Sequence, residues 1–179
     1  ILIGPVVQTW RVGFSDARVP TDEEIKAKLQ LTDATKVELD EASQTIFLLE
    51  EGMRIDLGCI AKGYIADLVM QQLKELGVTS ALINLGGNVL TLGPAIHHED
   101  GNWWIGIQNP KLLRGENVAL LPIQEELIVT SGVYERVLEV DGKKYHHILD
   151  PNTGYPAETD VASLTIVSKR SVDCEIWTT

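Results

Sequence analysis

The sequence predicts an α+β fold of mixed, largely antiparallel sheets with a few packed helices. Three observations predict it. Short apolar runs bounded by turn residues outnumber helical patterns along the chain. The dipeptides Gly86-Gly87 and Asp141-Gly142 each join two such runs, the second being the strongest hairpin signal present. One long helical pattern runs through Ile60, Tyr64, Leu68, Leu73 and Leu76 and stops at Gly77, a residue suited to a left-handed cap.

In chain order, Ile1 to Val7 reads as the end of a strand or a buried turn, broken at Gly4-Pro5. Trp10 and Phe14 flank a short loop and are expected to pack on the core. Thr21 with Glu24 forms a capping box that opens a short helix through Leu29, with Ile25 and Leu29 on its buried face. Lys36 to Leu39 and Thr45 to Leu49 read as strands joined by a polar turn. A short strand then precedes the turn at Gly58 and the long helix. Two apolar strands follow, then the loop PAIHHEDGN. Strands are predicted at Trp103 to Ile107, Val118 to Leu121 and Leu127 to Thr130, and again at Tyr134 to Val140 and Lys144 to Ile148. The stretch DPNTGYP is rich in turn residues. Ala162 to Val167 is a last strand, and Ser171 is read as the cap of a final helix. No repeat, low-complexity run or linker divides residues 1–179, so one domain is expected.

Twenty-six acidic against fifteen basic residues give a net charge of −11, which argues against nucleic acid or an anionic membrane as the main partner. A small anionic ligand stays open, because one lysine or one metal ion reverses a local field. Cys59 and Cys174 form no CxxC pair, so neither a zinc site nor a disulfide framework is expected. No apolar run is long enough to span a bilayer, and no signal peptide is visible. The chain opens with ILIGPVV and closes on EIWTT, and both ends read as cut inside structured elements.

Several residues are candidates for chemistry. Asp56 stands before the glycine turn and Lys62 lies in the first helical turns; a helix N-terminus with a lysine suits an anion, while a plain cap and a solvated lysine are the bland alternative. His97-His98 reads as a solvated loop tip. His146-His147 ends a strand beside Asp150; one of the pair is either an acid–base group or an interior histidine bonded to a carbonyl. Thr130, Ser131 and Gly132 read as a turn between strands or as ligand-lining residues. In the last helix Glu175 and Thr179 are four apart on one face, hard oxygen donors of the kind that Mg²⁺ takes. Neither a P-loop nor a Rossmann glycine pattern is present.

In this order the stretches IGPVVQTWRVGF, DLGCIAKGYIAD, ALINLGGNVLTLG, TSGVYERVLEVDGKKYHHILDPNTGYP and VASLTIVS, followed by an acidic helix, resemble the ApbE family over nearly the whole chain. These are FAD:protein FMN transferases, formerly associated with thiamine biosynthesis. The resemblance implies an ApbE-like fold and transfer of FMN from FAD to a threonine or serine of a target flavoprotein, with Mg²⁺ at the pyrophosphate and AMP leaving. It implies that His147 activates the acceptor hydroxyl, that Asp56, Lys62 and Ile148 contact the flavin nucleotide, and that the Cys59 carbonyl, Glu175 and Thr179 hold the metal. The family's metal helix usually carries aspartate where this chain has Glu175; Asp173 is the rival and is off the shared face. Family chains are longer at both ends, so this stretch alone is expected to bind FAD poorly. The resemblance also implies a membrane-anchored lipoprotein outside the cytoplasm, with a cytoplasmic location as the other option. Two other functions are open: an FAD pyrophosphatase giving FMN and AMP, and a non-catalytic FAD-binding module, which the glutamate favours.

Overall fold

The computed structural model describes residues 1–179. In chain order the elements are α1 (Gly4–Trp10), α2 (Asp22–Leu29), β1 (Val37–Asp40), β2 (Thr45–Leu48), α3 (Ala61–Glu75), β3 (Ala81–Leu85), β4 (Asn88–Leu92), β5 (Trp103–Gln108), β6 (Asn117–Ile123), β7 (Leu127–Gly132), β8 (Val137–Val140), β9 (Lys143–His146), β10 (Ser163–Ser168) and α4 (Ser171–Thr178). Every strand pairing is antiparallel. No helix is long and apolar enough to cross a membrane.

The chain forms two compact units. The first comprises residues 1–57 and 133–160, the second residues 58–132 and 161–179. Each unit is built from two separate segments, so no break in composition marks where one stops.

The first unit holds α1, α2 and the hairpins β1–β2 and β8–β9. Pro5 in the first turn of α1 loses no hydrogen bond there and fixes φ near the helical value. Residues 4–10 are therefore helical, not the strand end or turn that Gly4-Pro5 indicates. Val6 and Trp10, one turn apart, are both fully buried, with Ile25 beside them, and Tyr145, Leu149 and Tyr155 pack against this cluster. Trp10 also donates its indole N–H to the Gly154 carbonyl at 2.8 Å. Phe14, by contrast, is 58% exposed and lies against the Arg11 guanidinium, not the core. The capping box of α2 forms as the sequence predicts: the Thr21 hydroxyl accepts from the Glu24 N–H, and the Glu24 carboxylate accepts from the Thr21 N–H.

The second unit is organised on a four-stranded sheet in the order β10-β7-β4-β3. Gly86 and Gly87, with φ of 60° and 100°, make the turn between β3 and β4 in a region that other residues avoid. Residues 54–57 form no strand, although the sequence predicts one before Gly58. Thr130 to Gly132 end β7 instead of forming a turn.

Helix α3 closes as predicted. The N–H of Gly77 reaches the Lys74 carbonyl and that of Val78 the Leu73 carbonyl, both at 3.0 Å, with Gly77 left-handed. Its buried face is rotated from the one the apolar spacing indicates. Gly63, Ala66 and Met70 are buried, whereas Tyr64, Leu68 and Leu76 face outward. Ala66 and Met70 pack on Leu90, Leu92 and Leu127 of the sheet. Small residues won that face because α4 passes close by: a Cβ built on Gly63 would lie 2.7 Å from the Ser171 carbonyl oxygen and 2.8 Å from the Val172 Cα. Gly63→Ala should therefore force the two backbones apart and cost roughly 1–3 kcal/mol or more, read as a lower urea midpoint. An unchanged midpoint would show that the helices tolerate a wider spacing.

Candidate functional site

Helix α3 has no side chain of its own at its N-cap to accept its first free N–H groups. Helix α4 has none either; Ser171, read from sequence as its cap, is instead its buried first residue. Each helix is capped by the other. The Glu175 carboxylate accepts from the Gly63 N–H at 2.8 Å. The Asp67 carboxylate accepts from the N–H groups of Ser171 and Val172 at 2.7 and 3.1 Å. Each helix thus offers a donor and, one turn later, a carboxylate, and the two match in antiparallel order. The arrangement places two anions at two positive helix ends, which is the favourable sense of the macrodipole.

Around Glu175 this cap becomes a buried polar cluster. The glutamate side chain is 5% exposed. Its second oxygen accepts from the Asn88 amide at 2.9 Å. The Lys62 ammonium stands 3.5 Å from that same oxygen and donates to the Asn88 carbonyl oxygen at 2.9 Å. Asn88 is fully buried and also reaches the Ser171 hydroxyl at 3.4 Å. Thr178, three residues on, donates to the Glu175 carbonyl at 3.4 Å and accepts from Ser131 at 3.0 Å. A charge as deeply buried as this one persists only when paired and hydrogen-bonded, and here it is both.

Lys62 and Glu175, predicted separately, are therefore neighbours. Cys59 is half-buried in the turn before α3, and Thr179 follows the end of α4 and is exposed. The hydroxyl within the cluster is that of Thr178. Asp173 pairs loosely with Arg170 at 3.9 Å and has no part in the cluster. In chemical type the donors suit Mg²⁺: Glu175 is a hard anionic ligand with about four lone-pair sites, fewer than all of which are in use. Its counter-charge Lys62 has a side chain 48% exposed, so the ammonium has somewhere else to go.

His146 and His147 lie in the first unit. The main chain of residues 146–150 is held by that of 155–157: the Ile148 carbonyl accepts from the Ala157 N–H at 3.0 Å, and Asp150 donates to the Tyr155 carbonyl at 2.8 Å. The Asp150 carboxylate closes the following turn on the Asn152 N–H and the Thr153 hydroxyl. Its pKa is lowered, chiefly by the Asn152 backbone bond. His146 Nε2 faces the Ala157 carbonyl at 3.1 Å; a carbonyl only accepts, so Nε2 carries a proton. That is the interior-histidine arrangement. The ring also lines a half-open cleft with Tyr134, Val137, Glu139 and Lys144. In both His146 and His147 the Nδ1 is buried without a hydrogen-bond partner. Burial lowers the His147 pKa, a bond to the Arg136 backbone opposing it in part, so its imidazole is neutral at neutral pH.

Asn88 and Asp67 are the residues that sequence reading misses. Asn88 carried one signal: it is a polar residue opening an apolar strand directly after the double glycine. Asn84, on the other side of the hairpin, only closes the turn by accepting from the Gly87 N–H. Asp67 gives no signal, since a half-buried aspartate in a helix looks like any solvated one.

The model of the ApbE family matches residues 1–179. The FAD:protein FMN transferase of Klebsiella pneumoniae (strain 342) is 47% identical over 179 residues, covering 100% of this chain and 54% of its own. The FAD:protein FMN transferase of Treponema pallidum (strain Nichols) is 38% identical over 188 residues, covering 99% and 52%. Among crystal structures, the ApbE protein of Thermotoga maritima MSB8 superposes with a TM-score of 0.88 at 32% identity, over 99% of this chain and 56% of that one. The apo form of Pseudomonas stutzeri flavinyl transferase ApbE gives 0.77 at 30% identity, over 97% and 53%. The chain spans about half the length of the curated relatives it matches.

Proposed function

The chain belongs to the ApbE family, and from that premise we propose that the whole protein transfers FMN from FAD to a threonine or serine hydroxyl of a target flavoprotein, releasing AMP. The observation that carries this reading is 47% identity, across every residue of the chain, to a relative named for that reaction. The geometry supports it. In such a transfer the acceptor oxygen bonds to the phosphorus of the FMN half while the bond to the AMP oxygen breaks. The protein's work is to position the groups and to neutralise charge.

His147 takes the proton of the acceptor hydroxyl. Its depressed pKa keeps the ring in the form that can accept one. Asp56, Lys62 and Ile148 contact the flavin nucleotide, Lys62 supplying positive charge at the start of α3. Glu175, Thr179 and the Cys59 carbonyl are the groups that would hold Mg²⁺, which when bound neutralises charge developing on the pyrophosphate. Asn88 and Asp67 position Glu175, the first through a direct bond and the second by fixing the start of its helix.

The test uses the full-length protein with FAD, MgCl₂ and an acceptor protein carrying a candidate threonine. Mass spectrometry should show the acceptor gaining one FMN as AMP appears in equal amount. AMP with free FMN and no adduct, across a panel of acceptors, would make the protein a pyrophosphatase. FAD bound with neither product would make it a flavin-binding module.

A further inference from the structure

The pairing of Lys62 with Glu175 has a consequence for how a metal enters. The Glu175 carboxylate cannot move: the Gly63 N–H holds one oxygen at 2.8 Å and the Asn88 amide the other at 2.9 Å, from two different elements of the second unit. Lys62 can move. It is a four-carbon stem with half its side-chain surface in solvent, and it lies at ion-pair distance, not hydrogen-bond distance, from that second oxygen. A buried carboxylate is stabilised by a cation beside it, and two cations held at one oxygen repel each other.

We propose that Lys62 is a displaceable counter-ion of Glu175, which a divalent cation must push aside in order to reach the carboxylate. The proposal rests on the reading of Glu175 as a metal ligand. It gives the lysine two positions. Without the ion, the ammonium sits on Glu175 and Asn88 and keeps the cluster neutral. With the ion bound, the ammonium is released toward solvent, where it is free to meet an anionic phosphate. Metal entry and anion capture then become one event, because the charge that the metal displaces is the charge that the anion needs.

The experiment measures Mn²⁺ binding to the full-length protein without FAD, by electron paramagnetic resonance and calorimetry. Lys62→Met keeps the length and apolar bulk of the stem and removes the charge, and Lys62→Gln serves as a second variant should the first fold poorly. Both should bind Mn²⁺ at least tenfold more tightly than wild type and melt at lower temperature in the absence of metal. In the wild-type protein, acetylation of Lys62 by acetic anhydride, with acetate as the leaving group, should rise on adding Mg²⁺, as read by peptide mass spectrometry. Unchanged or weaker Mn²⁺ binding in both variants, with Glu175→Gln still abolishing it, would overturn the proposal and leave the metal assignment standing. Undiminished binding in Glu175→Gln would remove the metal assignment, and the proposal with it.

Discussion

His147→Ala is expected to slow FMN transfer by roughly 10²–10⁴-fold, the range for loss of a positioned general base, while FAD affinity changes little. The ring lies on a segment held by main-chain bonds, so its removal leaves the neighbouring Ile148 and the Asp150 turn in place. The pH profile gives an independent reading of the same group. A base works deprotonated, so the rate is full above its pKa and is lost as pH falls through it. Burial, the largest influence on His147, moves that pKa below the ordinary imidazole value of 6.5. The midpoint of the acidic limb in the wild-type profile should therefore lie below pH 6.5. Equal losses of FAD binding and of transfer in the variant would assign His147 to holding the nucleotide. An inflection above pH 7 would show that the ring does not act as the base.

The hairpins at Gly86-Gly87 and Asp141-Gly142 and the capping box of α2 are legible in the sequence because they are local. A Gly-Gly or Asp-Gly turn specifies its own backbone, and the capping box at Thr21 needs only four residues to form. What escapes is decided across the chain. The buried face of α3 cannot be read from apolar spacing, because Gly63 is selected by the approach of α4, 108 positions further on. The helical state of residues 4–10 is lost to the same kind of effect: Gly-Pro reads as a break, yet proline in a first turn opens a helix that Trp10 then anchors on the Gly154 carbonyl. The candidate site is half legible. Glu175 and Lys62 stand out by type, but the pairing between them runs through Asn88, and no spacing connects the three.

Glu175→Ala should have the largest combined effect, because one side chain carries two roles. Removing it takes the acceptor from the buried Gly63 N–H and from one of the Asn88 amide hydrogens, and the counter-charge from Lys62. Breaking a fully buried pair costs about 3–5 kcal/mol, and the half-exposed lysine reduces that here, so a loss of roughly 2–4 kcal/mol is expected on urea unfolding. Mg²⁺-dependent transfer should vanish as well. The two roles separate in Glu175→Asp. Aspartate keeps the charge and hardness that a metal needs, but it is one methylene shorter and cannot reach both the Gly63 N–H and the Asn88 amide from the same helix position. The aspartate variant should therefore retain Mg²⁺-dependent transfer while losing a substantial part of the stability that alanine loses. Full stability with no metal response would reverse the assignment: the length of the side chain would then matter to the metal and not to the cap. Loss of neither would mean that α4 shifts to bring the shorter carboxylate home, which the close contact of Gly63 with Ser171 opposes.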